Sequence, residues 1–254
     1  PGVAPTCSVL EQEHETQMTH GQEGGMKEES MANKNLVGLA VASNLARIAG
    51  APYADHQIIA NLIHDALLQA GLGQIDSEVP LADIIKPGMT VLLKPNWVLH
   101  YNQGGYGMEC MVTQPEFLLA VLREVVAAKP GRVILGDAPI QGCKWDELVT
   151  DDFQQAVIQL APCCKVEFID FRRTILRKGS LVEGVQIDAR EQDKYILFDL
   201  GPDSLLEPIS VPPGRFRVTM YDPDKLAMTH CPGRHQYLLC REAFEANVIL
   251  NLPK

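Results

Sequence analysis

Two hydrophobic periods alternate along the middle of this chain. His56–Ala70 places Ile58, Ile59, Leu62, Ile63, Ala66, Leu67 and Ala70 at the spacing of one helix face, and Gly71 follows as a stop. Thr90–Lys94 instead carries an unbroken Val91-Leu92-Leu93 run, as in strands buried on both faces of a parallel sheet. Phe117, Leu118, Val121, Leu122, Val125 and Val126 return to helical spacing. Their helix opens at Thr113-Gln114-Pro115-Glu116, with Thr113 as cap, Pro115 in the first turn and Glu116 three residues after the cap. Pro130-Gly131 closes it, and Arg132–Leu135 begins the next buried strand. The middle of the chain therefore predicts a β-α-β unit with parallel strands.

The flanks extend the pattern. Asn35–Ser43 predicts a first strand, Ala82–Lys86 a short helix, Asp146–Leu160 a longer helix and Lys165–Phe171 a further strand. After Arg172 the style changes. Leu181–Ile187, Tyr195–Leu200 and Arg215–Tyr221 are β-rich and separated by Pro and Gly, which predicts an antiparallel insertion over about 174–235. Arg241–Ala246 predicts a short helix, and Val248–Leu252 returns to the buried-strand style. The expected fold is α/β: a mostly parallel sheet with helices on both faces, carrying an inserted antiparallel β segment, in one domain over 31–254.

Three of the buried strands end on charge: Val91-Leu92-Leu93-Lys94-Pro95-Asn96-Trp97, Val133-Ile134-Leu135-Gly136-Asp137-Ala138-Pro139 and Val248-Ile249-Leu250-Asn251-Leu252-Pro253-Lys254. Parallel strands put their carboxyl ends on one edge, where open α/β sheets bind ligands. Lys94 and Lys254 are candidates to hold an anion; a lysine bridging to a nearby carboxylate is the plainer reading of Lys94. Asp137 is a candidate acid/base, metal ligand or partner for Lys94, against a turn-capping role. Asn96 is a polar orienter, Gly136 allows close approach, and the helix opened by Thr113 favours an anion at its amides. Gly105 belongs to Gly104-Gly105-Tyr106-Gly107, which fits neither nucleotide-binding glycine pattern and reads as a lid near the site. His230, Cys231, His235 and Cys240 group four soft ligands without the spacing of a zinc knuckle, so turn residues and a buried thiol compete with a metal. No serine-hydrolase elbow is present.

Charge narrows the partners. The formal net charge is −10, which speaks against nucleic acid and anionic membrane. Half of it lies in residues 1–30, where one lysine faces six glutamates and no core-forming period appears, so a disordered tail is expected there, with the folded part starting near Met31. That segment lacks a signal-peptide pattern, and no apolar run is long enough to span a bilayer. The seven cysteines form no framework, which favours a reduced, cytoplasmic chain.

The segments IKPGMTVLLKPNWV, VTQPEFLLAVL, VILGDAP and ANVILNLPK, in this order, resemble the domain of unknown function 362 family across Ile84–Lys254. The subgroup with KPNWVLHYN, then Glu-Cys, then Val-Thr-x-Pro is the most similar. Some members of that family carry ferredoxin-like cysteine clusters; this chain has no CxxCxxC run. The family also resembles, distantly, the N-terminal domain of nickel-dependent lactate racemases, which implies an α/β sheet with its site at the strand ends but assigns no nickel here. The family pattern runs past NLPK with a further Leu-Lys-Thr-His, so the resemblance implies a fragment whose site is incomplete.

These readings converge on an enzyme for a small anionic, carboxylate- or phosphate-bearing metabolite, with its cofactor and oligomeric state unknown. An iron–sulfur or metal-associated redox protein and a non-catalytic ligand-binding module are the alternatives.

Overall fold

A computed structural model describes residues 36–42, 53, 55–176, 186–211, 216 and 223–253. The expected tail over 1–30, the segment Arg215–Tyr221 apart from Phe216, most of Leu181–Ile187, and Lys254 lie outside these residues. In chain order the elements are α1 (His56–Gln69), β1 (Thr90–Pro95), α2 (Pro115–Ala127), β2 (Arg132–Asp137), α3 (Trp145–Leu148), α4 (Asp151–Leu160), β3 (Lys165–Asp170), β4 (Thr174–Leu176), β5 (Gln186–Asp188), β6 (Tyr195–Asp199), α5 (Pro223–Thr229), β7 (His230–Cys231), β8 (Arg234–Cys240), α6 (Glu242–Glu245) and β9 (Val248–Leu252).

The central sheet is parallel, in the order β3-β2-β1-β9. Alternation along the strands divides the core. Val91, Leu93, Val133 and Leu135 face a large cluster with Leu118, Val121, Leu122 and Val125 of α2 and Phe153 and Val157 of α4. Leu92 and Ile134 face the other way, onto Phe171, Cys240, Ala243 and Ala246. Helices α1, α2 and α4 thus line one side, while α6 and the end of β8 cover the other. A second set of strands is antiparallel, with β4 against β5 and the order β6-β8-β7. An α/β fold with an antiparallel insertion is therefore what this chain forms.

Several local expectations are corrected. Residues 36–42 form no strand: Leu36, Val37, Leu39 and Val41 are exposed, and the Leu39 amide bonds to the side chain of Gln69. An apolar run with no strand beside it has no ladder to join. The short helix at Ala82–Lys86 is a 3-10 turn over Pro80–Asp83. The helix over Asp146–Leu160 breaks into α3 and α4, because the Thr150 hydroxyl accepts the Phe153 amide and starts a new helix. Arg234–Cys240, read for its ligand residues, is a full strand paired to β6. No helix among the described residues is long and apolar enough to cross a membrane.

Candidate functional site

The direction of the connections locates the site. The chain leaves β1 for β2 and β3 on one side, then returns to β9 on the other side of β1. Neighbouring strands whose connections diverge open a crevice at their carboxyl ends. Here that crevice lies between β1 and β9, with Lys94 in register with Asn251 and Pro95 with Leu252.

Lys94 and Asp137 meet at this edge. The Lys94 Nζ lies 2.9 Å from Asp137 Oδ1 and donates to the Pro95 carbonyl at 3.2 Å. Asp137 is buried, and its second oxygen accepts the Trp97 amide at 2.6 Å. A buried carboxylate is costly unless both oxygens are satisfied, and here each has a donor. Asp137 is consequently held in place and orients Lys94. The Lys94 side chain is 42% exposed, so its ammonium sits at the boundary of core and solvent. An ammonium has three N–H donors; among the described residues two find acceptors.

Thr113 ties the crevice together. Its hydroxyl accepts the Asn96 amide at 2.8 Å and donates to the Leu252 carbonyl at 2.8 Å, and its own amide bonds the Asn96 carbonyl. The expected capping role is corrected: Gln114 is the N-cap of α2 and makes no side-chain cap bond, because the Thr113 hydroxyl is already used across the strands. The same tie orders the loop after β1, with Trp97 bridged to Val112 and the Val98 amide bonded to the Met111 carbonyl. The side chain of Asn96 bonds no described residue, nor does that of Asn251, which is exposed beside Lys94 in register.

Gly136 and Gly105 each have a local structural setting. A Cβ on Gly136 would stand 2.3 Å from Phe171 Cζ, so this glycine seats the Phe171 ring on the sheet. Gly105 has φ +71° in a tip organised by Asn102, whose side chain accepts the Gly104 amide and donates to the Gly107 carbonyl. Lys94, Asp137, Asn96 and Thr113 are brought together, while Lys254 falls outside the described residues. Asn251 was missed; its signal was a polar residue interrupting an otherwise apolar strand.

A second ion pair closes the neighbouring strand end. The buried Arg172 guanidinium bonds both oxygens of Asp170 and the carbonyls of Ile140, Gln141 and Cys143. It fixes the loop after β2, where burial pushes the Cys143 thiol up to about 11 and removes it as a nucleophile at neutral pH. His100 accepts the Lys144 amide on Nδ1, and burial holds its pKa below the usual imidazole value. No group of three or more His, Cys, Asp or Glu among the described residues could hold a metal ion. His230 and His235, read as possible ligands, face each other Nδ1 to Nδ1 at 3.5 Å.

No protein-family model, curated protein or solved structure matches this chain.

Proposed function

We propose that the crevice between β1 and β9 binds a small anionic metabolite bearing a carboxylate or phosphate, as the site of an enzyme acting on it. One observation carries this reading: at the switch point of the sheet, a half-exposed ammonium is held in place by a buried carboxylate. Among the described residues Lys94 keeps an N–H without an acceptor, Asn251 is its register partner on β9, Asn96 follows two positions later in the chain, and the side chains of both asparagines bond no described residue. A positioned cation with two adjacent amide donors suits a planar or tetrahedral oxyanion. Lys94 would supply the charge, Asn96 and Asn251 the orientation, and Asp137 the rigidity. Following the apolar run of Val248–Leu252 in the sequence, Lys254 would be a second cation.

Asp137 does not suit a general base, because both oxygens are engaged. That favours a binding role for the pair and leaves the reacting acid or base to a group outside the pair.

Thermal melting with inorganic phosphate, acetate and succinate tests the proposal. A ligand that binds only the folded state stabilises it by about 2.7 kcal/mol at a hundredfold excess over Kd. At least one of the three should raise Tm in a saturable way, and Asn96→Ala and Asn251→Ala should each reduce that rise while leaving the ligand-free Tm unchanged. The reading fails if none of the anions binds, or if both variants respond as the parent does.

A further inference from the structure

The antiparallel sheet holds a titratable cluster that the crevice does not use. His235 is fully buried on β8 and lies in register with His230 on β7. Its Nε2 is 3.0 Å from Glu207 Oε2 and 3.1 Å from Ser210 Oγ. Ser210 gives its only hydroxyl hydrogen to the Leu206 carbonyl at 2.9 Å, so towards His235 it accepts. Both neighbours of Nε2 are acceptors, and Nε2 must therefore carry hydrogen. In the neutral ring that leaves a lone pair on Nδ1. The atom facing this lone pair is His230 Nδ1 at 3.5 Å, which must then donate. One chain of hydrogen bonds thus fixes both tautomers: His230 to His235 to Glu207 and Ser210.

The chain has a limit. One added proton leaves a single hydrogen between the two Nδ1 atoms, and the contact survives. A second puts hydrogen on both facing nitrogens and sets two cations against each other. Among the described residues the other titratable and charged groups here are Asp199 of β6, which accepts the His235 and Gly201 amides, Arg234 and Tyr237 of β8, Cys231 of β7 and Asp224 of α5. Glu207 also accepts the Gly233 amide, so the carboxylate that fixes His235 holds the β7–β8 turn as well. The Phe216 ring lies against both imidazoles.

We propose that the His230–His235 pair is an acid-opened latch. At neutral pH it fastens β7 to β8; when both rings are protonated it parts them, while Glu207 keeps its hold on His235 and the parallel sheet stays folded. Burial and the neighbouring His235 hold the His230 pKa below the usual imidazole value, in keeping with a folded state that resists the charge.

Long-range nitrogen–proton NMR of the full chain reads the tautomers directly. At pH 7.5 the account requires hydrogen on Nε2 of His235 and on Nδ1 of His230; hydrogen on Nδ1 of His235 would overturn it. Hydrogen exchange at pH 7.5 and 5.0, corrected for intrinsic exchange, reads the opening. Amide protection over 230–236 should fall at least tenfold in acid, relative to β1, β2 and the loop over 201–210. His230→Asn offers a donor at the Nδ1 position that does not titrate, and should keep protection at both pH values. An equal acid loss in that variant, or none in the parent, would overturn the latch; if the variant does not fold, the tautomers of the parent still decide.

Discussion

The carboxyl edge of the parallel sheet and the β6-β8-β7 sheet bury polar groups by opposite means. At the edge, charge is met with charge: Asp137 with Lys94, and Asp170 with Arg172. In the antiparallel sheet, His235 is buried as a ring whose two nitrogens are satisfied by one donor and a pair of acceptors. Aspartate, lysine and arginine as residue types have reference pKa values far from neutrality. A histidine chain changes within the physiological range. Permanence suits a ligand site and responsiveness suits a latch.

Arg172 offers the sharpest way to break the comparison. Arg172→Ala leaves Asp170 with only a backbone donor and the Cys143 carbonyl without the guanidinium, while the Ile140 and Gln141 carbonyls keep the Cys143 and Leu176 amides. Its expected cost is about 3–5 kcal/mol, the range for breaking a buried pair. Arg172→Lys should recover little, because one ammonium cannot span carboxylate and carbonyls together. Urea denaturation measures both, and a loss below 1 kcal/mol would show that the pair contributes little.

Lys94→Met should cost about 2 kcal/mol, between the values for exposed and buried pairs, since one partner is half exposed. Asp137→Asn should cost a similar amount, and the double variant less than the sum, with a coupling of about 1 kcal/mol. Strict additivity would mean that the 2.9 Å pair carries no interaction energy. Thr113→Val, which strands the Asn96 amide and the Leu252 carbonyl, should cost about 1–2 kcal/mol, with Thr113→Ser recovering most of it. Equal losses in both variants would assign the effect to packing.

The smallest effect expected is in pH dependence, and its sign is fixed. His230 takes up a proton more readily unfolded than folded, so its contribution to stability is intact above the ordinary imidazole pKa. That contribution is lost as pH falls from about 6.5 towards the lower folded value. Urea melts at pH 7.5, 6.0 and 5.0 should show this loss, and His230→Asn should flatten the curve. A variant as acid-sensitive as the parent would place the sensitivity elsewhere.

How much of this was legible depended on locality. The β1-α2-β2 unit showed itself because Val91-Leu92-Leu93 and Val133-Ile134-Leu135 are buried on both faces, which leaves an unbroken run. The convergence of Lys94 and Asp137 followed from parallel strands alone. What stayed hidden depended on distant partners. Thr113 carries a helix-cap signature, yet its hydroxyl bonds a carbonyl 139 residues away. Gly136 is set by a ring 35 positions later, and β8 was obscured by its His and Cys residues. Asn251 became meaningful only once β9 was placed beside β1.

The central claim is that the β1–β9 crevice binds a small oxyanion through Lys94, Asn96 and Asn251. Side-chain amide NMR during titration with inorganic phosphate and with succinate tests it most directly. The Asn96 and Asn251 carboxamides should shift together and saturate with one Kd for at least one of the two anions, while Asn247, bonded to the Thr90 amide at the opposite end of the same two strands, stays in place. Shifts that never saturate, or that leave Asn96 and Asn251 unmoved with both anions, would contradict it.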